Sequence, residues 1–581
     1  MTRRPPRPGA GLFDRTAATL SWVAVLLILV PLAVVFVRLF GDESYRGSLG
    51  RVLALPGLGR TLLNTVAVIG ASTVLAVVVA CLLAWLNERT NARLGFLTDV
   101  LPVMPMLVPS IAGAIGWVLL AAPTAGFVNV VLRGAHLPVL NIFSWPGLIF
   151  VYTIYLVPQV YLTVAAALRT LDPGLEEAAR ISGAGPFRTL RTVTLPAVKP
   201  AVLSGALLAL VYGIALFSVP LIIGTQARID ILTVQVVRML AFTFPPRTGE
   251  ALILSLLVAV VLALLWWINA RIVRRGHFAT IGGRHAARPT IVLRPVSLVI
   301  ARIALLGFVL LAAVLPLLAL ILVSFQGFWS GRFVTVFTVR NYRTMFGAGS
   351  QTLNGLLNSL VLGLAAATVT ILLAVLIWYR VTGPGARRGG RFIDGVTKLP
   401  GALSHMVICV ALLAVLGGPP VGLSGTLTLL VIAYVVLYLP QASVSAQSAN
   451  QMVGGELSEA SWISGRGRGA TVRKIVVPLA RPGLVSGWTF VFVLVAGDIT
   501  ASSLLASPSN PVVGFVITTL FQNGTYPLLA ALGAVISVVS SVVVLTALSL
   551  ANRRRRYERA DQPASSSAAV GGRSAAGREA S

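Results

Sequence analysis

Residues 175–185 read LEEAARISGAG, and residues 457–467 read LSEASWISGRG. The two segments lie 282 positions apart, and the same offset places YTIYLVPQVYLTVAAA at 152–167 on YVVLYLPQASVSAQSA at 434–449. The chain therefore contains two copies of one structural unit. Parallel repeats of this kind are a known plan of transporters, in which the transport path lies at the interface of the two copies.

The composition excludes a soluble globular protein. Of the 581 residues 56% are hydrophobic and 11% are charged, with a mean hydropathy of +0.89, whereas ordinary soluble domains carry roughly 25% charged residues. Disorder is excluded for the same reason. The two cysteines, Cys81 and Cys409, lie in apolar runs and can build neither a disulfide framework nor a metal cluster. We therefore predict an all-α polytopic membrane protein.

The apolar runs predict about six transmembrane helices in each half. A helix needs about 20 apolar residues to cross a hydrocarbon core about 30 Å thick. In the first half such runs lie at roughly 19–40, 61–86, 98–121, 144–168, 199–223 and 250–270. In the second half they lie at roughly 297–324, 353–378, 394–416, 425–446, 482–506 and 525–551. Pro102, Pro105 and Pro109 interrupt the third run, which suggests a broken helix there.

The basic residues predict that both termini are cytoplasmic. With the amino terminus inside, 35 of the 46 Lys and Arg residues lie in inside segments, as the positive-inside rule requires. The run Arg553–Arg556 directly after the last span is the clearest marker. Basic loops on the cytoplasmic side of a membrane protein account for the net charge of +29, and we interpret the arginine run itself as a stop-transfer anchor in contact with anionic lipid of the bilayer. The excess of basic residues is therefore explained without a nucleic acid partner.

Composition shifts divide the chain into four parts. Residues 1–271 and 297–551 are predicted to be the two homologous membrane domains, and 272–296 to be a basic cytoplasmic linker. Residues 552–581 are predicted to be a cytoplasmic tail, disordered because it is rich in Ala, Ser, Gly and Arg.

Each repeated loop follows the fourth span of its half and lies on the predicted inside. In the first copy Asp172 and Pro173 predict the start of a short helix, as a cap followed by a proline in the first turn. Gly183 predicts its end, because glycine adopts the positive φ of a helix terminus without strain.

The two loops resemble the cytoplasmic signature of binding-protein-dependent ABC importer permeases. The first copy reads EAARISG…VTLP over 177–196, and the second reads EASWISG…IVVP over 459–478, with identical spacing. The residues that match the signature are Glu177, Ala178, Ala179, Gly183 and Pro196 in the first loop and Glu459, Ala460, Ser461, Gly465 and Pro478 in the second. Ser461 departs from the pattern, since it stands where the signature has Ala.

This resemblance implies two fused permease domains with the type I ABC importer fold, in a bacterial plasma (inner) membrane. It also implies that each loop is a coupling helix that docks on a cytoplasmic ABC ATPase dimer, and that an extracytoplasmic solute-binding protein delivers the cargo. No cofactor, metal-binding or catalytic residue is expected. ATP hydrolysis is expected on a separate subunit, because none of the three lysines, Lys199, Lys398 and Lys474, follows the glycine of a phosphate-binding loop.

Asp498 is the best candidate for a functional residue within the spans, because burying a charge in hydrocarbon is costly. Its equivalent in the first repeat is Leu216. The stretch GDITASSLL at 497–505 loosely resembles one in the ferric-iron-type fused permeases, although Ile499 and Thr500 replace the Leu-Pro of that pattern. Two interpretations stay open: a charge that lines the translocation path, or a cap beside an outer loop. His405 is expected to be a satisfied histidine of the helix bundle.

The residues argue against two other classes of protein. An ion-coupled secondary transporter would need buried charges in several spans, and Asp498 stands alone. A membrane enzyme or assembly factor would need a reactive cluster, and the sequence shows none. The expected substrate is ferric iron by subgroup resemblance, with thiamine, polyamine or a phosphonate as alternatives.

Overall fold

The structure is a computed structural model, and it describes most of the chain. The described residues are 12–41, 47–94, 102, 104–105, 108–241, 243–244, 247–275, 291–332, 336–382, 388–451, 457, 460–461, 464 and 466–560. Over these residues the elements are helices, joined by turns and two isolated β-bridges. The prediction of an all-α membrane protein is confirmed.

The helices of the first half are α1 (Leu12–Gly41), α2 (Ser48–Leu53), α3 (Leu58–Arg89), α4 (Ser110–Ala121), α5 (Phe127–Gly134), α6 (Trp145–Thr170), α7 (Pro173–Ile181), α8 (Pro186–Thr189), α9 (Leu195–Ala215), α10 (Leu232–Ala241) and α11 (Thr248–Arg275). Those of the second half are α12 (Pro295–Val309), α13 (Leu315–Ser324), α14 (Arg340–Met345), α15 (Gln351–Thr382), α16 (Arg388–Ala402), α17 (His405–Leu412), α18 (Leu427–Gln451), α19 (Arg468–Thr471), α20 (Val477–Ala496), α21 (Thr500–Leu505), α22 (Val513–Gln522) and α23 (Tyr526–Ala560). Short π-helical segments lie at Leu190–Thr194, Pro220–Gly224, Leu310–Val314, Leu413–Gly417 and Val472–Val476.

Nine helical segments of the described chain are long and apolar enough to cross a membrane. Two further pairs of apolar helices are each long enough to cross only if the pair counts as one span, and both are sharply bent: Gly389–Gly401 with His405–Gly417, at 105°, and Gly469–Arg481 with Gly483–Ala496, at 71°. These eleven segments correspond to eleven of the twelve predicted runs. The remaining run, 98–121, is described mainly as the short helix α4, which begins directly after Pro109.

The fifth predicted span of each half ends earlier than the apolar run suggests. The runs 199–223 and 482–506 were predicted to be continuous, but α9 ends at Ala215 and α20 ends at Ala496. Leu216 is extended, and Asp498 lies in the break that follows α20. Hydropathy cannot detect such a break, because the residues on both sides of it remain apolar.

The first helix of each half packs against the other half. The Phe13 ring of α1 lies edge-on to Tyr379 of α15, with the ring centroids 5.2 Å apart, and the Arg38 guanidinium donates to the carbonyl of Ala414. In the reverse sense α13 packs on α4, where Gly116 lies so close to Pro316 that an added Cβ would come within 2.6 Å of its backbone. The two halves therefore share one continuous core.

The last helix, α23, continues to Ala560, beyond the predicted end of the span at 551. The arginines at 553–556 therefore lie on a helix that extends past the apolar run. The prediction of a disordered tail otherwise concerns residues 561–581, which lie outside the described residues, as does most of the predicted linker.

Candidate functional site

The first candidate coupling loop forms the short helix α7, and local sequence signals determine both of its ends. At the start, the Asp172 carboxylate accepts a hydrogen bond from the backbone N–H of Gly174 (2.9 Å), and Pro173 occupies the first turn. At the other end Gly183 has a φ of +82°. These contacts confirm the predicted start and end of the helix.

The helix ends in a Schellman motif, and part of this motif recurs in the second loop. The N–H of Gly183 donates to the carbonyl of Arg180, and that of Ala184 donates to the carbonyl of Ala179, both at 3.0 Å. In the second loop the equivalent N–H of Arg466 donates to the carbonyl of Ser461 (3.2 Å). The described residues of the two loops therefore share this hydrogen bond. Glu459 and Gly465 themselves lie outside the described residues.

Ser461, the residue that departs from the signature, has a hydrogen-bonding partner. Its buried hydroxyl lies 2.9 Å from the hydroxyl of Thr471. Thr189 is the repeat equivalent of Thr471, and there the facing residue is Ala179. The serine therefore adds one hydrogen bond between the coupling segment and α19 in the second half alone.

The inner face of α7 is held by a buried ion pair. The guanidinium Nε of Arg89, at the end of α3, lies 3.1 Å from the Glu176 carboxylate, and both side chains are buried. The Thr194 hydroxyl donates to the same carboxylate (2.7 Å). Sequence reasoning singled out Glu177 and missed Glu176. No local signal distinguishes the two glutamates, because the partner of Glu176 is 87 positions away.

The end of α3 also holds the helix that leads into the loop. Glu88, next to Arg89, pairs with Arg169 near the end of α6 (2.7 Å). The amide of Asn87 donates to the hydroxyl of Tyr161, also on α6 (3.1 Å). Three consecutive buried residues of α3 therefore connect the fourth span and α7 to the second span.

The face of α7 that points away from the rest of the protein is exposed and partly apolar. Glu177 and Ala178 are exposed, Ala179 is half-buried, and Ile181 is 88% exposed. Leu175 and its repeat equivalent Leu457 are 51% and 49% exposed. An apolar side chain is therefore exposed at the same position, 175 and 457, of both repeats.

The remaining described signature residues are Pro196, Pro478 and Ala460. Pro196 and Pro478 are both exposed and stand near the start of α9 and α20, where each chain returns to the membrane. Ala460 is exposed as well. The first signature therefore includes the exposed surface of α7 and, at Pro196, the start of α9, whereas the described residues of the second are Ala460, Ser461 and Pro478.

Asp498 lies in a buried polar cluster at the break between α20 and α21. One carboxylate oxygen accepts the N–H groups of Ala501 (2.9 Å) and Ser502 (3.4 Å), which caps α21. The other accepts the hydroxyl of Tyr438 (3.2 Å) and lies 3.8 Å from Nδ1 of His405. His405 is partly exposed, so the cluster reaches the surface through the imidazole.

The corresponding place in the first half is uncharged. There Leu216 replaces Asp498, and the hydroxyl of Ser110, at the start of α4, lies 3.0 Å from that of Ser218. The buried tyrosines Tyr152 and Tyr434, in contrast, are repeat equivalents. Sequence reasoning missed the proximity of His405 and Asp498, which come from different spans 93 positions apart.

The described residues contain no group of three or more His, Cys, Asp and Glu side chains that could hold a metal ion. The His405 and Asp498 pair supplies only two such groups. The arrangement can offer one negative charge and one imidazole to a passing solute. Two such groups are fewer than the described residues would need to hold a resident metal ion.

The two halves, the paired loops and the broken spans define a polytopic transport permease. The family model described as "Binding-protein-dependent transport system inner membrane component" matches residues 72–275 and 385–557. The chain belongs to this family and is the membrane-spanning permease of an ABC importer. The family is one of transport permeases and not of enzymes.

Curated relatives match over most of the chain. The ferric transport system permease protein FbpB of Actinobacillus pleuropneumoniae is 22% identical over 530 residues, which cover 89% of this chain and 75% of the relative. The probable ABC transporter permease protein y4fN of Sinorhizobium fredii is 28% identical over 498 residues, 81% and 84% of the two chains. The spermidine/putrescine permease PotC of Escherichia coli is 25% identical over 250 residues, 42% of this chain and 92% of PotC.

Proposed function

We propose that this permease forms the translocation path for ferric iron delivered by an extracytoplasmic binding protein. The observation that carries the substrate is the extent of the similarity. A relative named as a ferric transport permease matches across 89% of the chain, and therefore across both halves. The spermidine/putrescine permease PotC favours polyamine as a second candidate, but it matches 42% of the chain.

The two loops are the proposed docking sites for a pair of cytoplasmic ATPase subunits. The exposed Ile181, Leu175 and Leu457 offer apolar side chains on segments that are otherwise hydrophilic. Neighbouring arginines such as Arg180 and Arg188 are also exposed and can pair with carboxylates of a partner. ATP hydrolysis then takes place on those subunits.

The buried contacts of α7 supply a mechanical link to the membrane. When ATP closes the two ATPase subunits, each coupling helix moves with the subunit on which it docks. In the first half Glu176 ties α7 to Arg89, so a displacement of α7 is passed to the end of α3. Thr194 extends the link to the segment that precedes α9. Motion of these spans opens and closes the path.

The proposed path passes the breaks in the third and fifth spans. Discontinuous helices near the membrane interior are where transporters bind their substrates. The break after α20 holds Asp498, and the break before α17 places the partly exposed His405 beside it. A carboxylate in this position attracts a cationic cargo, and its hydrogen bonds to the backbone N–H groups of α21 hold it at the break.

Uptake by living cells tests the substrate. A strain that lacks this chain should lose uptake of radiolabelled ferric citrate and regain it when the wild-type chain is supplied from a plasmid. Uptake of radiolabelled spermidine should stay unchanged in the same strain. Loss of spermidine uptake with normal iron uptake would overturn the iron assignment and favour polyamine.

A further inference from the structure

A large apolar groove lies between α1 and the second half, outside the loops and the Asp498 cluster. Its volume is about 1130 Å³. Its walls come from α1, α15 and α18, and its end comes from α19 and the π-helical segment Val472–Val476. Among the lining residues are Phe13, Val23, Leu27, Leu372, Arg473 and Lys474.

The groove lies among membrane spans. From Phe13 to Leu27 it follows α1 for about 21 Å at 1.5 Å per residue, which is more than half of a hydrocarbon core about 30 Å thick. Val23 and Leu372 line opposite walls and are both exposed. Exposed aliphatic side chains at this depth face hydrocarbon, so the groove suits an acyl chain.

One end of the groove is basic. Arg473 and Lys474 line it and are exposed, and neither pairs with a carboxylate among the residues that the structure describes. The floor beside them is closed by Phe13, whose ring lies so close to Gly469 that a Cβ there would approach it to 2.9 Å. Two cations at the mouth of an apolar groove match the phosphate and the tails of an anionic phospholipid.

We propose that this groove binds one anionic phospholipid of the inner leaflet. Its acyl chains lie between α1 and the walls formed by α15 and α18, and its phosphate contacts Arg473 and Lys474. The leaflet rests on the proposed cytoplasmic orientation of the α19 segment. The lipid would fill the space between α1, which belongs to the first half, and the helices of the second half.

The site is specific to the second half. The repeat equivalents of Gly469 and Lys474 are Phe187 and Thr192, so the first half lacks both the glycine floor and the second cation. The helix that packs against the first half is α12 of the second half. It buries Ala301 and Leu305 in a cluster with residues of α3 and α6. This difference provides a matched control within the same chain.

Native mass spectrometry of the detergent-purified full chain tests the proposal. The chain is titrated with dioleoyl-phosphatidylglycerol and, separately, with dioleoyl-phosphatidylcholine. We expect one phosphatidylglycerol to bind about tenfold more tightly than phosphatidylcholine, since each basic residue near the headgroup contributes to the attraction. The double variant Arg473→Gln/Lys474→Gln should lose this preference, and the control Arg188→Gln/Arg191→Gln, which removes two exposed charges from the equivalent segment, should keep it.

A second variant tests the apolar part of the groove. Val23→Trp places an indole in the space for the acyl chain. It should abolish the tight binding of phosphatidylglycerol and weaken the binding of phosphatidylcholine. Equal affinity of the wild type for the two lipids would overturn the proposal, as would a preference that survives Arg473→Gln/Lys474→Gln or a tight site that survives Val23→Trp. ATPase, binding protein and cargo are absent from this experiment, so its failure is separate from any failure of the proposed transport function.

Discussion

The guanidinium of Arg89 lies 3.1 Å from the carboxylate of Glu176, and this buried pair joins the second span to α7, the first of the proposed coupling helices. The two residues stand at places where helices end or begin: Arg89 is the last residue of α3, and Glu176 is in the first turn of α7. In the proposed coupling, this attachment passes a displacement of α7 to the end of α3. The exposed face of the same helix remains available for a partner.

Removing one member of this pair should be costly. In Arg89→Met the Glu176 carboxylate stays buried without its counter-charge, and we expect a loss of about 3–5 kcal/mol in the free energy of unfolding. The double variant Arg89→Met/Glu176→Met should be less destabilised than Arg89→Met alone, because no unpaired charge is left. Thermal unfolding of the purified chain in detergent measures both effects.

The pair Lys398 and Asp394 supplies a control for that measurement. It has a similar distance, 2.8 Å, but both side chains are partly exposed. Lys398→Met should therefore cost at most about 1 kcal/mol. Equal destabilisation by Arg89→Met and Lys398→Met would show that burial of the Arg89 pair has no structural importance.

Gly183 should tolerate no β-branched residue. An added Cβ would meet nothing within 4 Å, so the penalty of Gly183→Val comes from the positive φ alone, about 1–3 kcal/mol. We expect the turn to be displaced and co-purification with the ATPase to be lost, while the protein still reaches the membrane.

Gly185 in the same loop provides the matched variant. It also has free space at its Cβ position, but its φ is not positive. Gly185→Val should therefore keep ATPase binding and substrate-stimulated hydrolysis. If Gly183→Val retained ATPase binding and substrate-stimulated hydrolysis as fully as Gly185→Val, the helix terminus would have no part in docking.

Asp498 separates a path role from a capping role. Asp498→Asn keeps an oxygen that can accept the N–H of Ala501 but removes the charge, whereas Asp498→Leu installs the residue found at Leu216. If the carboxylate acts on the cargo, both variants should lower uptake at least tenfold at matched protein levels. A cap alone predicts normal uptake for Asn and a loss of about 0.5–2 kcal/mol of stability for Leu.

The orientation is tested with reporter fusions. A reporter placed after residue 560 should be cytoplasmic, because 35 of the 46 basic residues then lie inside. A reporter near Arg133, on α5, should be extracytoplasmic. Detection of both reporters on one side of the membrane would contradict the topology.

Local chemistry predicted part of this structure, and long-range contacts escaped it. The start of α7 at Asp172 and its end at Gly183 follow from capping rules that involve a few neighbouring residues. The pairing of Glu176 with Arg89 and of Asp498 with His405 depends on which spans become neighbours. An apolar run records that a segment enters the membrane but not which other segment it contacts.

Cysteine cross-linking tests whether the two loops dock on the ATPase subunits. Ile181→Cys and Leu457→Cys place thiols on the exposed outer faces of both loops, and Leu137→Cys places one on an exposed residue after α5, on the predicted opposite side of the membrane. In membranes that contain the assembled importer, we expect Ile181→Cys and Leu457→Cys to cross-link to an ATPase subunit and Leu137→Cys to give no such product. Absence of a product from both loop positions, in a complex that still hydrolyses ATP in response to substrate, would show that the loops are not the docking sites.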